Sequence, residues 1–392
     1  MFLTKKIRLK PTPEQEMLFR KSAGVARWAY NYLLSEKERV YKEYLNNGKV
    51  GNKTISECEV RKHINNVLKP TTHIWLKEVG SNVMKQAVKD ADIAYKNYFK
   101  GTANKPRYKS KHKDKLSFYV NYESLSKRNG GFHGEKIGFV KTSEPLPNIS
   151  KDKKYINPRI TYDNKYWYLS IGYEIPDTQL KLIGESKGID LGVKNLAICS
   201  DGKVYKNINK TKRVKKLKKK LKREQRKLSR MIENNIDKYV GNHKPVFKRP
   251  LIECKNIQKQ KHVIQLLNRT LTNIRDNYLH QTTTEIVKTK PSRIVMETLN
   301  VKGMMKNKYL AKAIAEQKFF EFKRQIEYKC QKYGIKFVEV SKFYPSSKTC
   351  SCCGNIKKDL KLSDRTYICS ECGLVIDRDY NASINLANYK VV

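Results

Sequence analysis

Acidic residues are scarce in this chain, and long apolar runs are absent from it. Its 392 residues include 37 Asp and Glu against 83 Lys and Arg, which gives a formal net charge of +46. The sequence contains no run of 18 apolar residues that could form a membrane-spanning helix. Its basic segments also lack the Trp, Phe and Leu face of a helix that lies on a membrane surface. We therefore expect nucleic acid as the partner of this charge, and no membrane.

A secretory signal is also missing. The chain begins with MFLTKKIRLK, which has charged residues but neither the apolar stretch nor the small-residue cleavage site of a signal peptide. We expect a cytoplasmic, reducing location, where the nine cysteines do not form disulfides.

Five of these cysteines lie between residues 350 and 372. Cys350-x2-Cys353 is followed, after fifteen residues, by Cys369-x2-Cys372, which is the ligand spacing of a four-cysteine zinc ribbon. Four thiolates fill a tetrahedral site, so we expect one structural Zn²⁺ rather than a catalytic one. Cys352 interrupts the spacing, and ligation by Cys352 instead of a neighbour stays open.

Three acids lie at the ends of apolar elements. Asp190 lies in the strand-like segment SKGIDLGVKNLAICS, Glu297 ends the strand RIVME, and Asp379 begins a terminal helix in DRDYNASINLANY. The glycines Gly188 and Gly192 flank the first acid and predict a close approach of backbone or substrate. Each acid alone is explained as well by a salt bridge to one of the many lysines.

The order of these acids along the chain is typical of a ribonuclease H-like fold, in which three carboxylates meet at one edge of a mixed sheet. Such a cluster provides the hard oxygen ligands that two Mg²⁺ ions need for phosphodiester hydrolysis.

The most cationic stretch follows the first acid. Residues 212–230 contain 12 Lys or Arg in 19 positions, yet apolar residues recur at heptad spacing and predict a helix. A periodic segment near residues 256–287 predicts its antiparallel partner, with residues 232–255 as an irregular tip. A charge run is usually a solvated face, but this many like charges repel unless phosphates neutralise them. We therefore expect nucleic-acid contacts from Lys216, Lys219, Lys220 and Arg223.

The N-terminal half predicts a strand at residues 5–10 and a helix that begins at Pro13 after the cap Thr12. A second helix is predicted at Ser81 to Phe99, where Lys85 and Gln86 lie mostly off the apolar stripe.

Strand-like segments between about residues 101 and 175 predict a small β-barrel, with Asp163-Asn164 at the turn of its clearest hairpin. Its tyrosines suit nucleic-acid bases, although tyrosine is also an ordinary strand former. Lys105 and Arg107 lie in the basic segment that begins this region.

These motifs together resemble the TnpB (OrfB-type) proteins of bacterial insertion sequences, which are RNA-guided DNA nucleases related to type V CRISPR effectors. The resemblance spans nearly the whole chain and lies in KIRLKPTPEQ, GVARWAYNYLL, AYKNYFKG, KPRYKS, GIDLGVKNLA, IVMETLNVKGM, PSSKTCSCCG, CSECG and DRDYNASINLA.

The resemblance implies a multidomain α/β architecture. A wedge-like β-barrel (residues 1–12 and 101–182) would carry a helical recognition domain (13–100), and a RuvC nuclease domain (183–342 and 375–392) would carry the zinc ribbon (343–374).

The catalytic acids of the family fall on Asp190, Glu297 and Asp379, the last because it directly precedes the Tyr380-Asn381-Ala382 step. Asp377 would assist or cap the helix. The implied partners are a guide RNA from the transposon end and a double-stranded DNA target, bound by a monomer in a bacterial, nucleoid-associated ribonucleoprotein. A short motif beside the target is read by the helical domain, so Gln86 is a candidate for an adenine contact.

Two other functions remain at this stage. A guided DNA-binding repressor would have lost an acid, and an unguided ribonuclease H or resolvase-type nuclease would need neither the basic helices nor the aromatic barrel. No tyrosine or DDE recombinase motif indicates a true transposase.

Overall fold

The computed structural model describes residues 1–48, 54–111, 114–123, 125–150, 153–176, 181–361 and 364–390. The chain forms two compact units, Met1–Ile175 and Pro176–Val392.

The first unit combines a seven-stranded sheet with three main helices. In chain order these are β1 (Phe2–Lys10), α1 (Pro13–Asn46), α2 (Glu57–His63), α3 (Ser81–Phe99), β2 (Ser117–Tyr119), β3 (Ser126–Arg128), β4 (Gly131–Gly134), β5 (Gly138–Thr142), β6 (Ile156–Tyr162) and β7 (Trp167–Glu174).

The strands follow the order β2-β6-β7-β1-β5-β4-β3. Strand β1 pairs with β7 along most of its length and then with β5, so it joins the two halves of the sheet. No pairing joins the end strands β2 and β3 within the described ranges, so closure into a barrel stays a prediction.

The start of α1 confirms the predicted cap. The Thr12 side chain accepts a bond from the Gln15 backbone, and the Gln15 side chain accepts one from the Thr12 backbone. Helix α3 has the predicted limits, and its buried Asp92 pairs with Lys37 of α1 at 2.9 Å. The turn after β6 also lies at Asp163 and Asn164, the latter with φ of +70°.

The second unit is built on a five-stranded mixed sheet. Its elements are β8 (Ile183–Leu191), β9 (Asn195–Cys199), β10 (Val204–Lys206), α4 (Lys212–Glu233), β11 (Ile236–Val240), β12 (Lys244–Phe247), α5 (Lys255–Lys288), β13 (Pro291–Glu297), α6 (Val301–Met304), α7 (Ala311–Gln317), α8 (Phe319–Tyr333), β14 (Lys336–Val340), β15 (Thr366–Ile368), β16 (Val375–Asp377) and α9 (Arg378–Ala387).

The order of this sheet is β10-β9-β8-β13-β14. The first three strands are antiparallel, and β13 runs parallel to both β8 and β14. One face packs on α5 and α8 through Ile189, Ile294, Phe322 and Ile326, whereas Val295 on the other face packs on Leu386 of α9. The sheet thus lies between two helical layers.

Helices α4 and α5 confirm the predicted helical hairpin, but the prediction of an irregular tip is wrong. Residues 236–247 form the antiparallel pair β11 and β12. Three β-branched or aromatic side chains, Tyr239, Val240 and Val246, favour strands here. The turn between them places Asn242 and His243 at positive φ.

No helix within the described ranges is both long and apolar enough to cross a lipid bilayer.

Candidate active site and metal centre

Two of the predicted acids lie on neighbouring parallel strands. Ile189 of β8 is in register with Met296 of β13, so Asp190 and Glu297 follow side by side. Ile189 and Met296 both point into the core beneath α5 and α8. Because strand side chains alternate between faces, both acids are directed to the face that carries α9.

Helix α9 lies directly on β8 at Gly188. A Cβ atom at this position would collide with the backbone of Ser383 and Ala387. The expected close approach is therefore made by the helix rather than by a substrate. At Gly192 the protein makes no such close approach, because a Cβ there would meet only the Asn195 carbonyl at 3.4 Å, an ordinary contact. An approach by substrate at Gly192 stays a prediction.

The third acid, Asp379, lies in the first turn of α9. Asp377 is the cap, since its carboxylate accepts the backbone N–H groups of Asp379 and Tyr380 at 3.0 Å each. Asp379 is held by Arg378 at 3.0 Å and lies 3.8 Å from Arg365.

The charges of the other two acids act on Asp190. The pKa of Asp190 is raised well above its usual range by its removal from water and then by the carboxylates of Asp379 and Glu297. Burial also raises the pKa of Glu297. Three carboxylates so arranged repel one another, and a bound divalent cation would relieve that repulsion.

Four cysteine sulfurs converge in the segment that precedes α9. Cys350, Cys353, Cys369 and Cys372 are the one group of potential metal ligands, among the residues described, whose ligand atoms all lie within 4.8 Å of one another. The sulfurs of Cys350 and Cys372 are 3.6 Å apart, and those of Cys353 and Cys369 are 3.5 Å apart. A tetrahedral ion with Zn–S bonds of about 2.3 Å requires separations of about 3.8 Å, so the geometry fits zinc. The carboxylates of the acid cluster are spaced more widely.

Two glycine turns and one tyrosine shape the cysteine cluster. Gly354 and Gly373 follow the two cysteine pairs at φ of +79° and +70°. Tyr367 is fully buried beside Cys350 and Cys369. Backbone N–H groups of Cys372 and Glu371 lower the pKa of the Cys369 thiol to about 6, which favours the thiolate form that metals bind, whereas desolvation and neighbouring sulfurs raise the pKa values of Cys353 and Cys372. Cys352 is exposed and lies outside the group.

Hydrogen bonds join this cysteine segment to α9. Asn381, which is completely buried, donates to the Thr349 carbonyl at 2.7 Å and accepts the Ser351 N–H at 3.0 Å. One turn later, Asn385 donates to the carbonyls of Ser346 and Thr349 at 2.7 Å each. The helix that carries Asp379 is therefore fixed both to the sheet and to the cysteine cluster.

The basic side chains predicted on α4 are exposed. Within the described part of the chain no ion pair is recorded for Lys216, Lys219 or Lys220, whereas Arg223 lies 3.5 Å from Glu224. The apolar seam of α4 faces α5, and Gln260 of α5 donates to the carbonyl and the carboxylate of Glu224 at 3.0 Å. The free lysines form a cationic surface that is available to a polyanion.

In the first unit, most of the residues predicted to contact nucleic acid already have partners within the protein. Gln86 donates to Asp90 at 2.9 Å, and Asp90 in turn accepts two bonds from Arg159. Lys105 pairs with Glu38 at 3.3 Å and Arg107 with Asp114 at 3.1 Å, both while exposed. Lys85, the neighbour of Gln86, is partly buried. These four residues belong to the first unit, whereas the acids belong to the second.

Three family models match successive parts of the chain. Residues 170–308 match OrfB_IS605, described as "Probable transposase", residues 319–386 match "Cas12f1-like, TNB domain", and residues 1–46 match a helix-turn-helix domain of OrfB_IS605.

Relatives match over nearly the whole chain. InsQ of Escherichia coli (strain K12), which is named as an RNA-guided DNA endonuclease, is 29% identical over 97% of this chain and 90% of its own. A similarly named Streptomyces pristinaespiralis protein is 27% identical over 97% and 87%. Over nearly its whole length, the chain is therefore similar to TnpB-like, OrfB-type proteins.

A solved structure shares the fold of this chain. Cas12f1, in a complex with single-guide RNA and target DNA, superposes with a TM-score of 0.58 at 15% identity and covers 99% of both chains. The mixed α/β fold is therefore of the Cas12f1 type.

Several residues of the site in this chain were not identified from the sequence. Arg365 and Arg378 beside Asp379 gave no signal, because basic residues are abundant in this chain. Asn381 and Asn385 did carry one, since two asparagines one turn apart on an apolar helix require buried partners.

Replacing Asn381 with alanine should release the cysteine segment from α9. Two buried hydrogen bonds are lost, which costs about 2 kcal/mol, so the Ser351 amide should exchange with solvent roughly thirtyfold faster. Hydrogen exchange measured by mass spectrometry over residues 346–356 checks this. The control is Asn388→Ala, which changes an exposed residue at the end of the same helix. Equal exchange in both variants would contradict the assigned role.

Proposed function

We propose that this protein is a transposon-associated RNA-guided DNA endonuclease that cleaves with Asp190, Glu297 and Asp379. The observation that carries the proposal is the convergence of these acids on one face at the ends of β8 and β13 and the start of α9. The names of the relatives, and the match to Cas12f1, agree with this activity.

We assign the second unit to a ribonuclease H-like RuvC domain. Three antiparallel strands followed by two parallel ones, in the order β10-β9-β8-β13-β14, support this assignment. In the same proposal residues 343–374 are the zinc ribbon, and residues 375–392 return to the nuclease domain.

We assign the first unit to a wedge-like barrel with a helical recognition insertion. Residues 1–12 and 101–182 would form the wedge, and residues 13–100 the insertion. The insertion of α1 to α3 between β1 and β2 supports this arrangement.

The acids suit hard divalent cations, because carboxylate oxygens are the ligands that Mg²⁺ prefers. Asp190, Glu297 and Asp379 would hold two Mg²⁺ ions, which would supply the activation of water and the stabilisation of the leaving oxygen. The chain itself contributes position: β8 and β13 fix two acids side by side, and the Asp377 cap fixes the turn that carries the third. No side chain has to act as general base.

We assign a structural Zn²⁺ to the four cysteines. All four positions of a tetrahedral ion are filled by thiolates, so none remains for substrate. The ion would stabilise the segment that Asn381 and Asn385 tie to α9.

We propose that the cationic surfaces bind guide RNA and target DNA. The exposed lysines of α4 support a role in binding the phosphate backbone. A motif-reading role for Gln86 would require its bond to Asp90 to be exchanged for a base contact.

The central test uses protein expressed with its native flanking DNA. Any RNA that copurifies is sequenced, and a matching duplex is incubated with the complex and Mg²⁺. We expect guide-dependent cleavage, and Asp190→Ala should reduce its rate by about three orders of magnitude or more, as other removals of a catalytic group do.

The matched control for this test is Asp237→Ala, which removes an exposed acid on β11. Cleavage by the control at the wild-type rate is expected. RNA and target binding without cutting by the wild type would indicate a guided repressor, and cutting without RNA would indicate an unguided nuclease.

Metal content tests the cysteine assignment. Cys369→Ala should lose the single zinc per chain because it removes one of four ligands, whereas Cys352→Ala should retain it. Inductively coupled plasma mass spectrometry measures the zinc content of both purified variants. Loss of zinc from the Cys352 variant alone would overturn the ligand set.

Salt dependence tests the α4 surface. Replacing Lys216, Lys219 and Lys220 with glutamine should lower the affinity for the copurifying RNA. The slope of log K against log salt should become less steep by about 2, because three phosphate contacts are lost. The control replaces Lys288, Lys290 and Lys336, which are exposed at the opposite edge of the sheet from the acids. Equal slopes in the two triple variants would exclude α4 from the RNA interface.

A further inference from the structure

A cavity of about 300 Å³ opens beside one of the three acids. Glu297 and Leu191 line it at the ends of β13 and β8, and Phe319 and Phe320 line it from the start of α8. Its volume lies at the lower end of the range of about 300–1,000 Å³ that is typical of ligand sites, so it fits a single nucleotide and excludes a duplex.

An exposed aromatic ring lies at the rim of this cavity. The amphipathic spacing of α8 directs Phe319, Phe322 and Ile326 inward, where they are nearly or completely buried. Phe320 points outward and is 73% exposed. Single exposed apolar residues are common, but this ring borders a cavity that contains a proposed catalytic acid.

The charges around the cavity suit a nucleotide. Lys302 is exposed, and no ion pair is recorded for it in the described residues, whereas Lys323 is paired with Glu339 at 2.5 Å. The exposed Lys302 and the ring of Phe320 therefore both line the cavity, and Glu297 lines it at the end of β13. An unpaired nucleotide presents the matching groups, a flat base and a phosphate.

We propose that this cavity is a nucleobase subsite of the nuclease centre. The base of an unpaired nucleotide next to the cleaved phosphodiester stacks on Phe320, and Lys302 contacts its phosphate. The inference rests on the proposed endonuclease function. Stacking uses the ring face that every base has, so the subsite accepts all four bases and adds no sequence preference.

The test combines a protein variant with a substrate variant. Phe320→Ala should lower kcat/KM for cleavage of the matched duplex by about tenfold, the effect of losing one base–aromatic stack. In the wild-type complex, one abasic nucleotide scanned along the cleaved strand should produce a similar loss at a single position beside the cut. Since both changes remove the same stack, the two together should cost no more than either alone.

Phe343→Ala is the matched control because Phe343 is 81% exposed in the same unit and does not line the cavity. We expect it to cleave as the wild type does, and Phe320→Trp to retain activity.

A metal-free readout separates stacking from catalysis. In the Asp190→Ala background without Mg²⁺, 2-aminopurine at the sensitive position should be quenched, and Phe320→Ala should remove the quenching. If the wild type cuts but Phe320→Ala matches Phe343→Ala, or the two losses simply add, the subsite is wrong while the nuclease function stands. A wild type that never cuts overturns both.

Discussion

The candidate nuclease centre depends on one close approach, that of helix α9 to strand β8 at Gly188. No other residue fits there, because any Cβ atom would collide with the helix backbone. The approach brings Asp379, on the first turn of α9, towards Asp190, two residues beyond the glycine. Glu297 then joins through the parallel register of β13 with β8. The assembly of three like charges is thus imposed by backbone packing, and the energy it costs must be recovered from the rest of the fold or from bound cations.

The cysteine segment is fixed to the same helix, α9. Asn381 and Asn385 use one buried face of α9 to hold the backbone of residues 346–351, while Asp377 ends β16 and caps the helix. The cysteine cluster and the acid cluster are therefore linked through a single ten-residue helix. The two sites have separate chemistry, since thiolates select a soft or borderline ion and carboxylates a hard one.

Periodicity and capping chemistry in the sequence are sufficient to predict the helices and strands that carry the site. The Thr12 cap and the limits of α3 follow from local patterns that the structure confirms. The cysteine spacing likewise predicts which four sulfurs meet. The role of Gly188 could not be predicted, because a glycine that admits a helix has the same sequence signal as one that admits a substrate. The β11–β12 hairpin was missed because its strands are only 5 and 4 residues long and its turn lacks the usual Asn-Gly pair. The cavity beside Glu297 depends on tertiary packing, which no local pattern encodes.

The most direct test of the account is the location of divalent ions at the acids. Crystals grown with Mn²⁺ in place of Mg²⁺ would show the ions by anomalous scattering. The account predicts two manganese peaks at the carboxylates of Asp190, Glu297 and Asp379. A crystal that shows manganese elsewhere, with none at these three carboxylates, would contradict the central claim.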